Sequence, residues 1–255
     1  MKPGGLWRCV IAEWKIKFFL GGAVTLAFWA GYFLLERFPQ APVTQMPELA
    51  IDRMIPFWPG AAFIYVSQFA TMPLIIWLMT SRRQLFVCCR GLTLLIGVGF
   101  ACFYFWPTSV ARPEMGPGGN FFYDLVVNSD LPRNACPSLH AAFGVFIAGC
   151  AWEMFRSWKN GGWLIGAMWL WTAAVLVSTL LTKQHVFLDL AAGVVLGATS
   201  WWVKGSHAAP ADDNGACRTP AGTRSSAVLD NPHIGVTVGQ DENRARQMAQ
   251  GKASV

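Results

Sequence analysis

Apolar residues in this chain come in long blocks separated by short polar connections. A helix needs roughly 20 apolar residues, rising 1.5 Å each, to cross a hydrocarbon core about 30 Å thick. Six blocks reach or approach that length, at about 16–35, 58–79, 85–106, 138–155, 161–181 and 186–203. The last three are shorter or closely spaced, so their ends are soft. The pattern predicts an all-α, polytopic membrane protein with six transmembrane helices, spanning residues 1–204 as one domain without internal repeats. From about residue 205 the chain turns to Ala, Pro, Asp, Asn, Gly, Ser and Gln, a composition that buries too little apolar surface to fold. A disordered cytoplasmic tail is expected over 205–255.

Composition sets the solvent. Of 255 residues, 54% are hydrophobic and 13% charged, too little polar sequence to wrap six buried helices in a water-soluble protein. Trp58, Trp106, Trp158, Trp163, Trp201 and Trp202 fall near predicted span ends, as an interfacial aromatic belt requires. Lys2, Arg8, Lys15, Lys17, Arg82, Arg83, Arg156, Lys159 and Lys204 all fall on one side of a six-span chain. The opposite connections carry mixed charge: Glu36, Arg37, Glu48, Asp52 and Arg53, then Arg112, Glu114, Asp124, Asp130 and Arg133. The excess of Lys and Arg places both termini in the cytoplasm and the 107–137 connection outside. The first span lacks a small-residue cleavage site and is expected to be retained.

Net charge of +6 reflects those inside residues and forms no basic cluster, so no nucleic-acid partner is expected. Seven cysteines, an odd number, imply no disulfide framework; only Cys136 lies clearly in an outer connection. Gly193 and Gly197 form a small-xxx-small pair suited to close helix packing.

The candidate chemistry sits at the mouths of two apolar blocks. Ser138 occupies a helix N-cap position, where the backbone N–H groups of Leu139, His140 and Ala141 and the helix dipole favour a bound phosphate. His185 and Asp189, four residues apart, share a helical face, so the carboxylate can orient the imidazole. The topology, built from charge alone, brings Arg112, Ser138, His140, His185 and Asp189 to one non-cytoplasmic face. Five spans would separate them. A histidine at a helix end is often only an interfacial polar residue, and Ser178 has a carbonyl of its own helix within reach. The combination of Arg112, His140, His185 and Asp189 is what points to function. No His-Glu-x-x-His or Cys/His spacing suggests a metal site.

With these motifs placed, the chain resembles the type 2 phosphatidic acid phosphatase (PAP2) superfamily of six-helix membrane enzymes. That family's first motif, Lys, six residues, Arg-Pro, appears as Phe105 followed by Arg112-Pro113. Its Pro-Ser-Gly-His appears as Pro137-Ser138-Leu139-His140. Its Ser-Arg, five residues, His, three residues, Asp appears as Ser178-Thr179, His185 and Asp189. The departures at Phe105, Leu139 and Thr179 resemble the inositolphosphotransferase (inositol phosphorylceramide synthase-like) branch. The likeness covers about 85–200, the expected catalytic core.

The resemblance implies that His185 attacks phosphorus to form a phosphohistidine, that Asp189 orients it, and that His140 protonates the leaving oxygen and later serves as base. Arg112 and Ser138 would hold phosphate oxygens, with Ser178 beside them, and no metal or other cofactor is expected. Lys183, two residues before His185, is the candidate to replace the family's missing cations. The expected partners are a lipid phosphate substrate and the bilayer, most simply the bacterial cytoplasmic membrane, with the oligomeric state open. Dephosphorylation of a polyprenyl diphosphate would use the same residues, and a catalytically inactive scaffold or transporter-like protein is the alternative from another class.

Overall fold

The computed structural model describes residue 9 and residues 11–113 and 119–205. Lys2, Arg8, Glu114, Cys217 and the expected tail from 206 onward lie outside the described residues. The chain is mostly helical. In order, the elements are α1 (Trp14–Arg37), β1 (Thr44–Gln45), α2 (Ala50–Met54), a 3-10 turn (Pro59–Ala61), α3 (Ala62–Leu78), α4 (Arg82–Phe105), β2 (Thr108–Ser109), α5 (Phe121–Ser129), α6 (Leu139–Phe155), α7 (Gly161–Leu181) and α8 (Phe187–Val203). Each of the six predicted apolar blocks is a helix within a few residues of its expected ends.

Four helical stretches among the described residues, Trp14–Arg37, Pro59–Leu78, Arg82–Phe105 and Gly161–Leu181, are long and apolar enough to cross a membrane. The other two, α6 and α8, have 17 residues each, about 25 Å of helix and a turn short of the roughly 20 residues a perpendicular crossing needs. Their N-caps are Ser138 and Val186, beside the residues of the candidate site.

α6 explains the arrangement of the others. It is apolar all round, and nearly every residue from Leu139 to Ala151 is buried, which places it at the centre of the bundle. It packs against α3, α4, α7 and α8. Its small residues, Ala141, Ala142, Gly144, Ala148 and Gly149, let neighbouring backbones approach, while Phe146 and Ile147 fill the space toward Leu92 and Leu95 of α4 in one apolar cluster. On α8 the predicted glycine pair faces this helix: a Cβ on Gly193 would run into the Ser138 carbonyl, and one on Gly197 into the Ala142 carbonyl. The outward faces carry exposed Phe19, Leu26, Leu74, Phe86, Leu170 and Val195, a surface too apolar for water.

The connections at one end of the helices are more ordered than the hydrophobic pattern announces. β1 and β2 pair in parallel, Thr44 with Thr108 and Gln45 with Ser109, so the all-α expectation misses a two-stranded clasp between the first and the long connections. Glu36, buried at the end of α1, accepts from the Leu131 N–H at 2.7 Å. Asp52 accepts from the Phe187 N–H at 2.7 Å, capping α8 with a carboxylate where the helix dipole favours one. At the opposite end, two of the cations that set the predicted orientation are buried in structure. Lys17 donates to the Cys9 and Trp77 carbonyls at 2.7 Å, and Lys204 meets Glu153 at 3.0 Å. Of the predicted aromatic belt, Trp58, Trp106, Trp163 and Trp202 are exposed, whereas Trp158 and Trp201 pack on the central cluster.

Close approach of α8 to α6 gives a direct prediction. Gly193→Ala should lower the thermal unfolding temperature in detergent, in line with the roughly 1–3 kcal/mol that overpacking costs. Gly166→Ala, where an added Cβ meets nothing within 4 Å, should leave it unchanged or raise it. Equal melting of the two variants would refute the close contact.

Candidate functional site

Ser138 caps α6 as expected. Its side-chain oxygen accepts from the Ala141 N–H at 3.4 Å, and its own N–H donates to the Asp189 carbonyl at 3.0 Å. That backbone bond stitches the start of α6 to the start of α8, so the two motif halves meet. His140 and His185 face each other with ring centroids 5.6 Å apart.

Each imidazole has a different neighbour. Asp189 Oδ1 lies 3.2 Å from His185 Nδ1, within ion-pair range but at an angle outside hydrogen-bond geometry. Its other oxygen accepts from the Val186 N–H at 3.3 Å. A fully buried carboxylate needs such partners to offset its desolvation. With Nδ1 turned to Asp189, Nε2 is the nitrogen of His185 left for chemistry. The Nδ1 of His140 is 3.4 Å from the Tyr65 hydroxyl, and the Gln68 amide donates to the His140 carbonyl at 2.8 Å.

Arg112 reaches the same place from the long connection. One terminal nitrogen donates to the Asp130 carbonyl at 2.6 Å; the other donates to Asp130 Oδ2 at 3.1 Å and the Leu131 carbonyl at 3.2 Å. The buried Nε has no hydrogen-bond partner among the described residues. Asp130 in turn accepts from the Tyr32 hydroxyl at 2.7 Å. Arg112, His140 and His185 line one end of a cavity of about 690 Å³. Most of the rest of its wall is apolar, with Phe28, Trp29 and Phe33 of α1, Met72 and Ile76 of α3 and Phe143 of α6 among its lining.

Three predicted phosphate-binding residues are placed elsewhere. Lys183 turns away from the cavity: its ammonium donates to the Asp52 and Ile55 carbonyls at 2.7 Å each. It sits at the end of α7 with φ 54°, the left-handed conformation usual for a glycine there, and that turn aims its side chain back at α2. Ser178 donates to the Val175 carbonyl of its own helix at 2.7 Å, the option its mid-helix position offers. Ser138 spends its oxygen on the α6 cap and is fully buried, leaving Leu139, His140 and Phe143 as the α6 residues that line the cavity. Cys136, expected in an outer connection, is buried too, and that burial pushes its thiol up to about 11. Among the described residues no three His, Cys, Asp or Glu side chains form a group that could hold a metal ion.

Several cavity residues escaped the motif reading. Tyr65, Gln68 and Asn134 line it, as does Gln184, which immediately precedes His185. The i, i+3 spacing of Tyr65 and Gln68 in an otherwise apolar span was the available signal.

Helices with lipid-suited outer faces around an imidazole pair and a guanidinium define the class, an integral membrane protein of phosphatase-type fold. The profile of the PAP2 superfamily matches residues 57–203, more than half of the chain, and the chain belongs to that superfamily, whose members are generally phosphatases. No curated protein and no solved structure matches it. All the motif residues lie within the matched span, whereas α1, which forms one wall of the cavity, lies before it.

The placement of Lys183 yields a prediction that separates anchoring from phosphate binding. Lys183→Gln should lower thermal stability while leaving the KM for a phosphate ester within about twofold. Lys183→Gly should lose less, because glycine relieves a left-handed strain worth roughly 1–2 kcal/mol. A large rise in KM at unchanged stability would return Lys183 to the site.

Proposed function

We propose that this protein is an integral-membrane phosphoryl-transfer enzyme acting on lipid-linked phosphate esters through a phosphohistidine on His185. The observation that carries the proposal is the cavity itself, lined by two imidazoles and a guanidinium and, over most of the rest, by apolar side chains. The polar end suits a phosphate and the wall suits a long hydrocarbon chain.

In the proposed reaction His185 Nε2 attacks phosphorus while the P–O bond to the lipid breaks. The proton on His140 Nε2 passes to the leaving oxygen, general-acid help that typically contributes roughly 100- to 10,000-fold. Asp189 holds His185 Nδ1 and stabilises the positive ring. A water or an alcohol then attacks the phosphohistidine, with His140 taking its proton. Arg112 offers its unpaired Nε–H and its guanidinium charge to the phosphate oxygens. Positive charge from Arg112 and the imidazoles serves in place of a divalent cation, so EDTA should leave turnover unchanged.

The replacements at Phe105 and Thr179 support the inositolphosphotransferase-like branch, in which the second acceptor is a hydroxyl rather than water. All six long helices act as spans in this reading, with α6 and α8 starting beneath the surface. The Lys and Arg distribution supports a site opening on the non-cytoplasmic side, most simply of a bacterial inner membrane.

Purified protein with phosphatidic acid, with and without diacylglycerol or ceramide as acceptor, tests the assignment. Wild type should release phosphate or form a transfer product, His185→Ala should lose turnover at least 1,000-fold (an estimate of about that order for a nucleophile), and Arg112→Gln should raise KM. Turnover by His185→Ala equal to wild type would remove the mechanism.

A further inference from the structure

His185 has a carboxylate orienter, and His140 has none. What His140 has is a face of α3. Tyr65, Gln68 and Phe69 lie at i, i+3 and i+4, and all three touch it. The Tyr65 ring is 4.3 Å from the imidazole by centroid and tilted 35°, with its hydroxyl 3.4 Å from Nδ1. The Gln68 amide holds the His140 carbonyl at 2.8 Å, and the Phe69 ring meets the imidazole edge-on at 5.9 Å. No other side chain among the described residues hydrogen-bonds this imidazole. Tyr65 is 3% exposed, so water does not compete for the contact.

We infer that Tyr65 is the positioning residue of His140, the counterpart of Asp189 for His185. The inference rests on the proposed phosphoryl transfer. The phenol oxygen accepts the Nδ1–H of His140 in both the imidazolium and the neutral ring, so Nε2 is always the nitrogen that gives or takes the proton. When the lipid P–O bond breaks, the Nε2 proton goes to the leaving oxygen and the Nδ1–H stays on Tyr65. The neutral ring is then already the tautomer whose Nε2 lone pair receives the proton of the attacking water or alcohol. A carboxylate in this position would hold the imidazolium too firmly to release its proton; an uncharged phenol orients without that penalty. The two histidines thus differ in role because their Nδ1 partners differ in charge. Tyr65 lies outside all three motifs, on a helix whose contribution an apolar span does not advertise.

The other titratable or charged groups facing His140 are His185 with Asp189 behind it, Arg112 with Asp130 from the long connection, and Tyr32 from α1. Of these groups and Tyr65, Tyr65 is the one whose hydroxyl lies against Nδ1 of His140.

The test uses the full chain in detergent with two probes of equal phosphoryl group and unequal leaving group, dodecyl phosphate and p-nitrophenyl phosphate. Tyr65→Phe should lower kcat/KM for dodecyl phosphate, which reports only the steps through leaving-group release, about tenfold, and should lower kcat/KM for p-nitrophenyl phosphate at least about fivefold less, because a good leaving group needs little acid help. Equal losses on both probes would make Tyr65 a packing residue, and no loss on either would remove it from the site; both overturn the inference. Wild type inactive on both probes would instead overturn the phosphoryl-transfer reading beneath it. If Tyr65→Phe does not fold, 3,5-difluorotyrosine at position 65 keeps the shape and weakens the oxygen as acceptor. The basic limb of kcat for dodecyl phosphate should then move to lower pH, because the imidazolium loses support. An unmoved limb overturns the inference.

Discussion

One backbone hydrogen bond holds the site together: the Ser138 N–H to the Asp189 carbonyl, 3.0 Å across the start of two helices. It exists only because α6 and α8 approach closely, and they approach because Gly193 and Gly197 present no side chain to the Ser138 and Ala142 carbonyls. Within a bilayer the association of helices draws little on hydrophobicity, and small residues that admit close backbone contact take its place. Through this contact His140, at the second position of α6, and His185, just before α8, come face to face. A side chain at either glycine would separate them.

Around this contact lies a layer of polar groups at one end of the helices. Glu36 fastens the long connection to α1, Asp52 caps α8, Lys183 ties the α7–α8 turn to α2, and Asp130 holds Arg112. Glu36 and Asp52 are buried and Lys183 and Asp130 half-buried; ionisable groups so placed are costly unless partnered, and each here is spent on a backbone group or an opposite charge. The result is rigidity where the candidate chemistry needs it. Arg112 and the two histidines project from three separate chain segments into one cavity, and the segments between them are anchored.

How much of this the sequence discloses depends on the range of the interaction. Helix positions follow from block length, so the six helices are legible. The His185–Asp189 pair follows from local spacing, and the Ser138 cap from its place before an apolar run. What is not legible is where side chains point in connections. Lys183 stands near His185 in sequence, yet its left-handed backbone turns its ammonium toward Asp52 and Ile55. Ser138 and Ser178 bond locally, which no pattern distinguishes from reaching a ligand. Tyr65 meets His140 across 75 residues of chain, and a polar residue in an apolar span carries no label of its partner. The β1–β2 clasp, two residues on each side, is shorter than any periodicity can register.

The central claim is that a phosphoryl group passes through His185. The full chain, mixed with a lipid phosphate labelled with 32P and quenched in alkali, should carry acid-labile, base-stable label on the peptide that contains His185, and the label should decay when excess unlabelled lipid phosphate or an alcohol acceptor is added before the quench. Turnover with no label on the protein, or with label on a residue other than His185, would contradict the account.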